Sequence, residues 1–252
     1  MIAGIWELSS LSSRGTRDLW IVVQGMVFSK KASQEVIALG NHSSFYGKTN
    51  DGTEAKKSFV TTPSNKTLQH PQLIQLLKKA YYAEKAAAYA YQGHAGSVRN
   101  PLQKIAIRQI EEDEWNHRRE VLAIMQHYGI ELSRWYEVRY AIIGKIISGS
   151  CYVIGWFMPF FFAGKLESGN VCEYFRAKQY FNSLGTCEFD QVLYDMGIKE
   201  KEHEVYFLTT IKNSSVLPFF EKIFSWGRNK SANNIDLNKK YPVKESEVYC
   251  RK

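Results

Sequence analysis

The pattern of apolar and polar positions changes character near Thr67. Before this residue, short runs rich in β-branched and aromatic side chains alternate with turn-forming residues, and Asp51-Gly52 lies between two candidate strands. This pattern predicts a small β-rich segment over residues 1 to 66. After Thr67 the apolar residues follow the period of an amphipathic helix. We therefore expect a helical domain over residues 67 to 226 and a polar, flexible tail over residues 227 to 252.

Four amphipathic helices are predicted in the helical domain. The first begins at Thr67, and the second extends from about Leu102 to His127. The third ends at Gly185, and the fourth extends from about Phe189 to Lys212. The first two should be antiparallel neighbours, because only a short Gly- and Pro-containing loop separates them. The expected fold class is mainly α: a ferritin-like four-helix bundle with helical segments at a membrane interface and the β-rich segment at its N-terminus.

Acidic residues and histidines occur on the predicted apolar stripes. Glu-x-x-His appears twice, and this spacing places a carboxylate and an imidazole on one helical face. Each copy follows a helix that carries one acid on its apolar stripe. The six residues are Glu84, Glu114, His117, Glu173, Glu200 and His203. Unpaired charges are expensive to bury, so a partner must compensate them.

A dinuclear metal site is the compensation that the pattern indicates. In the di-iron carboxylate arrangement, two helices each contribute one Glu, and the other two helices each contribute one Glu-x-x-His. Carboxylate and imidazole ligands suit iron, with manganese as the other possibility, and can support dioxygen activation. Buried salt bridges or solvated helix faces are the alternative interpretation. The acids that lie off the stripes are expected at the surface: Glu111, Glu112, Asp113, Glu202 and Glu204.

Four segments in this order resemble a known family. They are AEKAAAYAYQGH, EEDEWNHRREVL, GKLESGNVCEYFRAKQYFN and DMGIKEKEHEVYF, with an apolar stretch between the second and third. Together they resemble the demethoxyubiquinone hydroxylases of ubiquinone biosynthesis over about residues 70 to 225. The resemblance implies a di-iron monooxygenase that uses dioxygen and an electron donor to hydroxylate a polyprenylated quinone. It also implies the six metal ligands named above and a role beside the metal site for Tyr180. Lys178 and Gln179 depart from the family, which usually has two histidines there.

Two apolar segments suggest contact with a membrane surface. Ile142 to Phe162 leads into the third predicted helix, and Val216 to Trp226 follows the fourth. The residues expected at the acyl boundary are Trp156, Phe157, Phe160, Phe161, Phe219, Phe220, Phe224 and Trp226, with Lys145, Lys165, Lys222 and Arg228 near the head groups. An apolar stretch this interrupted is marginal for a bilayer span, so we expect an interfacial position.

Charge and composition narrow the remaining classes. The formal charge is +8, but the basic residues are diffuse, so an anionic lipid surface is a better partner than nucleic acid. The N-terminus lacks the pattern of a signal peptide, which predicts an intracellular, peripheral membrane protein, at the cytoplasmic face of the inner membrane if bacterial. A homo-oligomer remains possible.

Other functions stay open at this point. A di-iron quinol oxidase or another ferritin-like lipid oxidase or hydroxylase would use comparable ligands. A membrane-associated scaffold with a buried charge network would need no metal. Iron storage or peroxide reduction would not require the apolar segments, and the cysteines lack the spacing of a rubredoxin-like site.

Overall fold

The computed structural model describes residues 67 to 227. Within that range it is helical throughout, with short connections and no strand, which confirms the mainly α prediction. The helices are α1 Pro71–Ser97, α2 Pro101–His127, α3 Arg134–Ser150, α4 Phe157–Ser183, α5 Asp190–Ile211 and α6 Leu217–Phe224. The predicted β-rich segment and all but the first residue of the predicted tail lie outside the described residues.

Local sequence signals explain several helix ends. The side chain of Asn100 accepts hydrogen bonds from the backbone N–H groups of Leu102 and Gln103, so it caps the start of α2. Gly129 and Gly185 follow α2 and α4 with φ values of 63° and 74°, a left-handed conformation that glycine adopts without strain. These two glycines end helices where the sequence predicts.

The predicted apolar segment, Ile142 to Phe162, is divided between two helices. Its first part belongs to α3, which packs against α1, and its last part begins α4. The close approach of α3 to α1 requires small residues, since a Cβ on Gly144 would lie 2.6 Å from the backbone oxygen of Ala86. In the part of the chain that the structure describes, no helix has the length and apolar character needed to cross a bilayer.

The helices form a bundle-like arrangement with two apolar clusters. α1 packs on α2, α4 packs on α5, and contacts of α1 with α4 and of α2 with α5 join the two pairs. The first apolar cluster includes Leu73, Leu77, Val121, Phe181, Phe189 and Leu193. The second apolar cluster includes Tyr91, Ile107, Phe160, Phe161, Phe207 and Trp226. The clusters use opposite halves of α1, α2, α4 and α5, which leaves a layer of polar residues between them.

Three residues expected at an acyl boundary belong to the second apolar cluster instead. Phe160 and Phe161 are fully buried, and Trp226 is almost fully buried. The rings of Phe161 and Trp226 meet edge to face with centroids 5.1 Å apart. They are buried because α6 folds back over the start of α4, so these rings pack the interior.

Candidate metal centre

The polar layer contains two groups of side chains whose donor atoms converge. One consists of Glu84, Glu114, His117 and Glu200, and the other of Glu114, Glu167, Glu200 and His203. In each group the potential ligand atoms lie within 4.8 Å of one another, and all are buried. Glu114 and Glu200 belong to both groups. Each group therefore has one Glu and one His of its own and two shared carboxylates.

Unpaired donor atoms are the feature that makes these groups fit a metal ion. Both carboxylate oxygens of Glu114, one oxygen of Glu200, and Nδ1 of both His117 and His203 are buried without a hydrogen-bond partner among the described residues. His117 Nδ1 lies only 2.8 Å from Glu200 Oε1, and His203 Nδ1 lies 3.4 Å from Glu114 Oε1. Buried polar atoms that make no hydrogen bond are costly. A cation shared by these atoms would satisfy them together, so the buried Glu/His groups could hold metal ions.

The protonation states of the centre fit the same interpretation. Burial raises the pKa of Glu114 and of Glu167 well above the usual range, and the neighbouring charge of Glu200 adds to both shifts. Burial also raises the pKa of Glu200 to about 8. Burial lowers the pKa of His117 to about 4, which keeps this imidazole neutral near pH 7, the form that binds metals. Four carboxylates would balance the charge of two divalent cations.

Two buried tyrosines hold the carboxylates that belong to one group only. Tyr91 on α1 donates a hydrogen bond to Glu167 on α4, and Tyr174 on α4 donates one to Glu84 on α1. The side-chain amide of Asn170 also donates to Glu167 at 3.0 Å. Neutral donors of this kind fix the orientation of a carboxylate without competing for its charge.

Asp113 supports a histidine of the centre, as the two tyrosines support its carboxylates. Its Oδ2 lies 3.1 Å from Nε2 of His203, while Nδ1 of the same ring faces Glu114. A carboxylate behind the imidazole is the usual support of a metal-binding histidine, because it fixes the ring orientation and the tautomer. Asp113 was expected at the surface. It reaches His203 because it precedes Glu114 directly and lies at the edge of the same face.

Glu173, a predicted ligand, lies outside both groups. Its carboxylate forms an ion pair with Lys79 of α1 and is partly exposed. Glu167 is the α4 residue that joins the centre, and it is buried. Six residues separate the two positions, so at about 100° per residue they lie about 120° apart around the helix. Only one of them can face the polar layer.

Tyr180, the predicted neighbour of the metal site, also lies elsewhere. Its half-buried ring contacts the ring of His70, with centroids 4.6 Å apart. Thirteen residues separate it from Glu167, which corresponds to about 20 Å along α4. Tyr174 takes the place beside the centre that the sequence assigned to Tyr180.

Glu204, expected at the surface, is fully buried. It accepts hydrogen bonds from Lys201 Nζ at 2.8 Å and from the indole of Trp226 at 2.9 Å. Two donors and the Lys201 charge compensate this carboxylate within the protein. Glu204 therefore differs from Glu114 of the centre, neither of whose carboxylate oxygens has a hydrogen-bond partner among the described residues.

Comparison of the chain with protein-family models, with characterised proteins and with solved structures finds no match. The class that the fold and site define is a mainly helical, bundle-like protein with buried Glu/His groups that could bind metal.

Proposed function

We propose that this chain binds two metal ions, iron or manganese, in a ferritin-like bundle of α1, α2, α4 and α5, and that it is a membrane-associated monooxygenase. The supporting observation is the pair of donor groups that share Glu114 and Glu200. Glu84 and His117 would complete the ligand set of one ion, and Glu167 and His203 would complete that of the other. This is the ligand composition of dinuclear carboxylate sites.

When bound, such a pair of ions supplies the redox chemistry that activates dioxygen. In the proposed reaction one oxygen atom enters a C–H bond and the other leaves as water. Two protons and two electrons, the electrons from an external donor, balance the step. The chain itself holds the carboxylates through Tyr91 and Tyr174, and its two apolar clusters exclude bulk water from the polar layer.

A polyprenylated quinone ring is the proposed substrate. The resemblance in motif order supports this class, and the aromatic surroundings of the centre suit an apolar ring. Tyr91, which bonds Glu167, stacks on Phe207 with centroids 5.7 Å apart and planes 11° apart. Phe207 in turn contacts the rings of His94 and Phe160. Apolar aromatic groups thus extend from the centre toward the end of the molecule where α4 begins.

The test uses iron-loaded protein, a short-chain benzoquinone with a free ring C–H, a chemical reductant and ¹⁸O-labelled dioxygen. Mass spectrometry should find one labelled oxygen in the quinone product, and the His203→Ala variant should form none. The Glu112→Ala variant should match the wild type, because Glu112 is exposed and belongs to neither group.

Two other results would each favour a different function. Consumption of dioxygen with quinol oxidation and no labelled product would indicate a quinol oxidase. Failure to bind any metal would leave the buried charges as a structural network and favour a scaffold.

A further inference from the structure

Exposed apolar side chains gather at one end of the molecule. This apolar end consists of residues 97–108, 149–157 and 211–224, which are the turn from α1 to α2, the turn from α3 to α4, and the region of α6. It carries half of the large apolar side chains that are exposed among the described residues. The most exposed are Leu102, Ile105, Tyr152, Val153, Phe219 and Ile223, with Val153 81% and Leu102 75% exposed.

Side-chain contacts connect the three stretches. The indole of Trp156 donates a hydrogen bond to Gln103 at 3.2 Å, which joins the second stretch to the first. The rings of Phe157 and Phe220 meet with centroids 5.1 Å apart, which joins the second stretch to the third. The exposed residues therefore form one surface, supported from beneath by the second apolar cluster.

The charged residues of the apolar end are mostly basic. The three stretches contain six charged residues, of which five are basic and exposed: Arg99, Lys104, Arg108, Lys212 and Lys222. The single acid, Glu221, is half-buried. Of the five basic residues, Arg108 alone pairs with an acid among the described residues, and that acid is Glu111. An apolar surface bordered by basic residues is complementary to an anionic lipid bilayer, where apolar groups enter the acyl boundary and basic groups contact phosphates.

We propose that the apolar end docks on an anionic phospholipid bilayer through Leu102, Ile105, Tyr152, Val153, Phe219 and Ile223. Of these elements, the start of α2 with Leu102 and Ile105 lies outside the two apolar segments that the sequence marks, Ile142 to Phe162 and Val216 to Trp226. Docking in this orientation directs α4 inward from the membrane, and Glu167 lies about 15 Å along that helix from Phe157. This inference rests on the membrane association in the proposed function and specifies its surface. Docking on lipid requires no metal, so a failure to dock and a failure of the proposed reaction are distinguishable.

The test is flotation of the full-length protein with phosphatidylcholine vesicles and with vesicles that also contain phosphatidylglycerol. The wild type should float with the anionic vesicles, and added salt should weaken the association. Lys104→Glu with Lys222→Glu should weaken binding at least about tenfold. Arg134→Glu with Arg176→Glu, a matched change of exposed residues away from the apolar end, should leave binding unchanged.

A second pair of variants tests the apolar contribution. Phe219→Ser with Ile223→Ser should lose flotation, whereas Leu132→Ser with Leu184→Ser, exposed residues at the opposite end, should retain it. Circular dichroism verifies folding of each variant, and the charge variants decide the matter if the serine variants unfold. Equal flotation of the wild type and both apolar-end variants would overturn the proposal. A second result would also overturn it: the Phe219 and Ile223 variant changes from dimer to monomer while its lipid binding is unchanged. This surface would then be an interface between copies of the chain.

Discussion

The hydroxyl of Tyr91 on α1 donates a hydrogen bond to the carboxylate of Glu167 on α4. The reciprocal bond links Tyr174 of α4 to Glu84 of α1. In both helices the tyrosine follows the glutamate by seven residues, which is two helical turns, so each helix presents an acceptor and a donor on one face. Two crossed hydrogen bonds thereby hold α1 and α4 in register across the candidate metal centre.

Removal of a tyrosine hydroxyl should weaken metal binding. Among the described residues, Tyr91→Phe leaves the Asn170 amide as the one side-chain N–H donor to the Glu167 carboxylate. Supporting hydrogen bonds of this kind contribute about 10-fold to 100-fold in metal affinity. Titration of metal-free protein with Mn²⁺ or Co²⁺ measures the change. Tyr89→Phe is the matched control, because Tyr89 lies on the same helix and contacts Trp115 rather than the centre. Equal affinity of Tyr91→Phe and wild type would refute this role.

Asp113 should support His203 in the same way. Asp113→Asn removes the charge behind the imidazole, and metal affinity should fall about 10-fold or more. Glu112→Ala, one residue away but exposed, should bind metal as the wild type does. If the two variants bind metal equally well, Asp113 has no such role.

The stability of the metal-free protein should fall as pH rises from about 7 to 8. The folded protein retains protons on Glu114, Glu167 and Glu200, whose pKa values burial raises, to about 8 for Glu200. The unfolded chain has already released these protons, so each retained proton costs about 1.4 kcal/mol of stability per pH unit. The lowered pKa values of His94, about 3, and His117, about 4, act with the opposite sign, but only below about pH 6.5.

Urea unfolding at several pH values measures this dependence. Saturating metal should abolish the decline, because bound metal requires the deprotonated ligands and binds more tightly as pH rises. Metal-free protein whose stability stays constant or increases between pH 7 and 8 would contradict the assigned protonation states.

The contact of α1 with α3 should tolerate no side chain at Gly144. A Cβ there would lie 2.6 Å from the backbone oxygen of Ala86, so Gly144→Ala should destabilise the protein by about 1–3 kcal/mol. Gly149 lies in the same helix with nothing within 4 Å of its Cβ position, and Gly149→Ala should be neutral or stabilising by up to about 1 kcal/mol. Thermal unfolding of the two variants compares them directly. Equal melting temperatures would mean that α3 does not pack as described.

The sequence predicts much of this molecule where helices have one apolar face. On α2 and α5 the Glu-x-x-His residues follow a clear stripe, and the structure buries Glu114, His117, Glu200 and His203 together. On α4 the periodicity fails, because residues 159–164 are all buried and give no stripe from which to extrapolate. When the apolar stripe is extended from that start, it predicts Glu173 as the α4 ligand. In the structure Glu173 pairs with Lys79, and Glu167 lies in the centre.

Long-range contacts explain the other differences. Glu204 is buried because Trp226, from beyond the next helix, covers it and donates to it. Asp113 acquires its role only when α5 brings His203 against α2. Neither contact leaves a local signal in the sequence.

The metal content of two α4 variants tests the central claim most directly. Ferrous iron is added under anaerobic conditions to the metal-free wild type and to the Glu167→Ala and Glu173→Ala variants. After desalting, elemental mass spectrometry measures the iron content of each protein. We predict about two ions per chain for the wild type and for Glu173→Ala, and about one or none for Glu167→Ala. Loss of metal from Glu173→Ala with retention in Glu167→Ala, or a folded wild type that takes up no metal, would contradict a dinuclear centre built on Glu167.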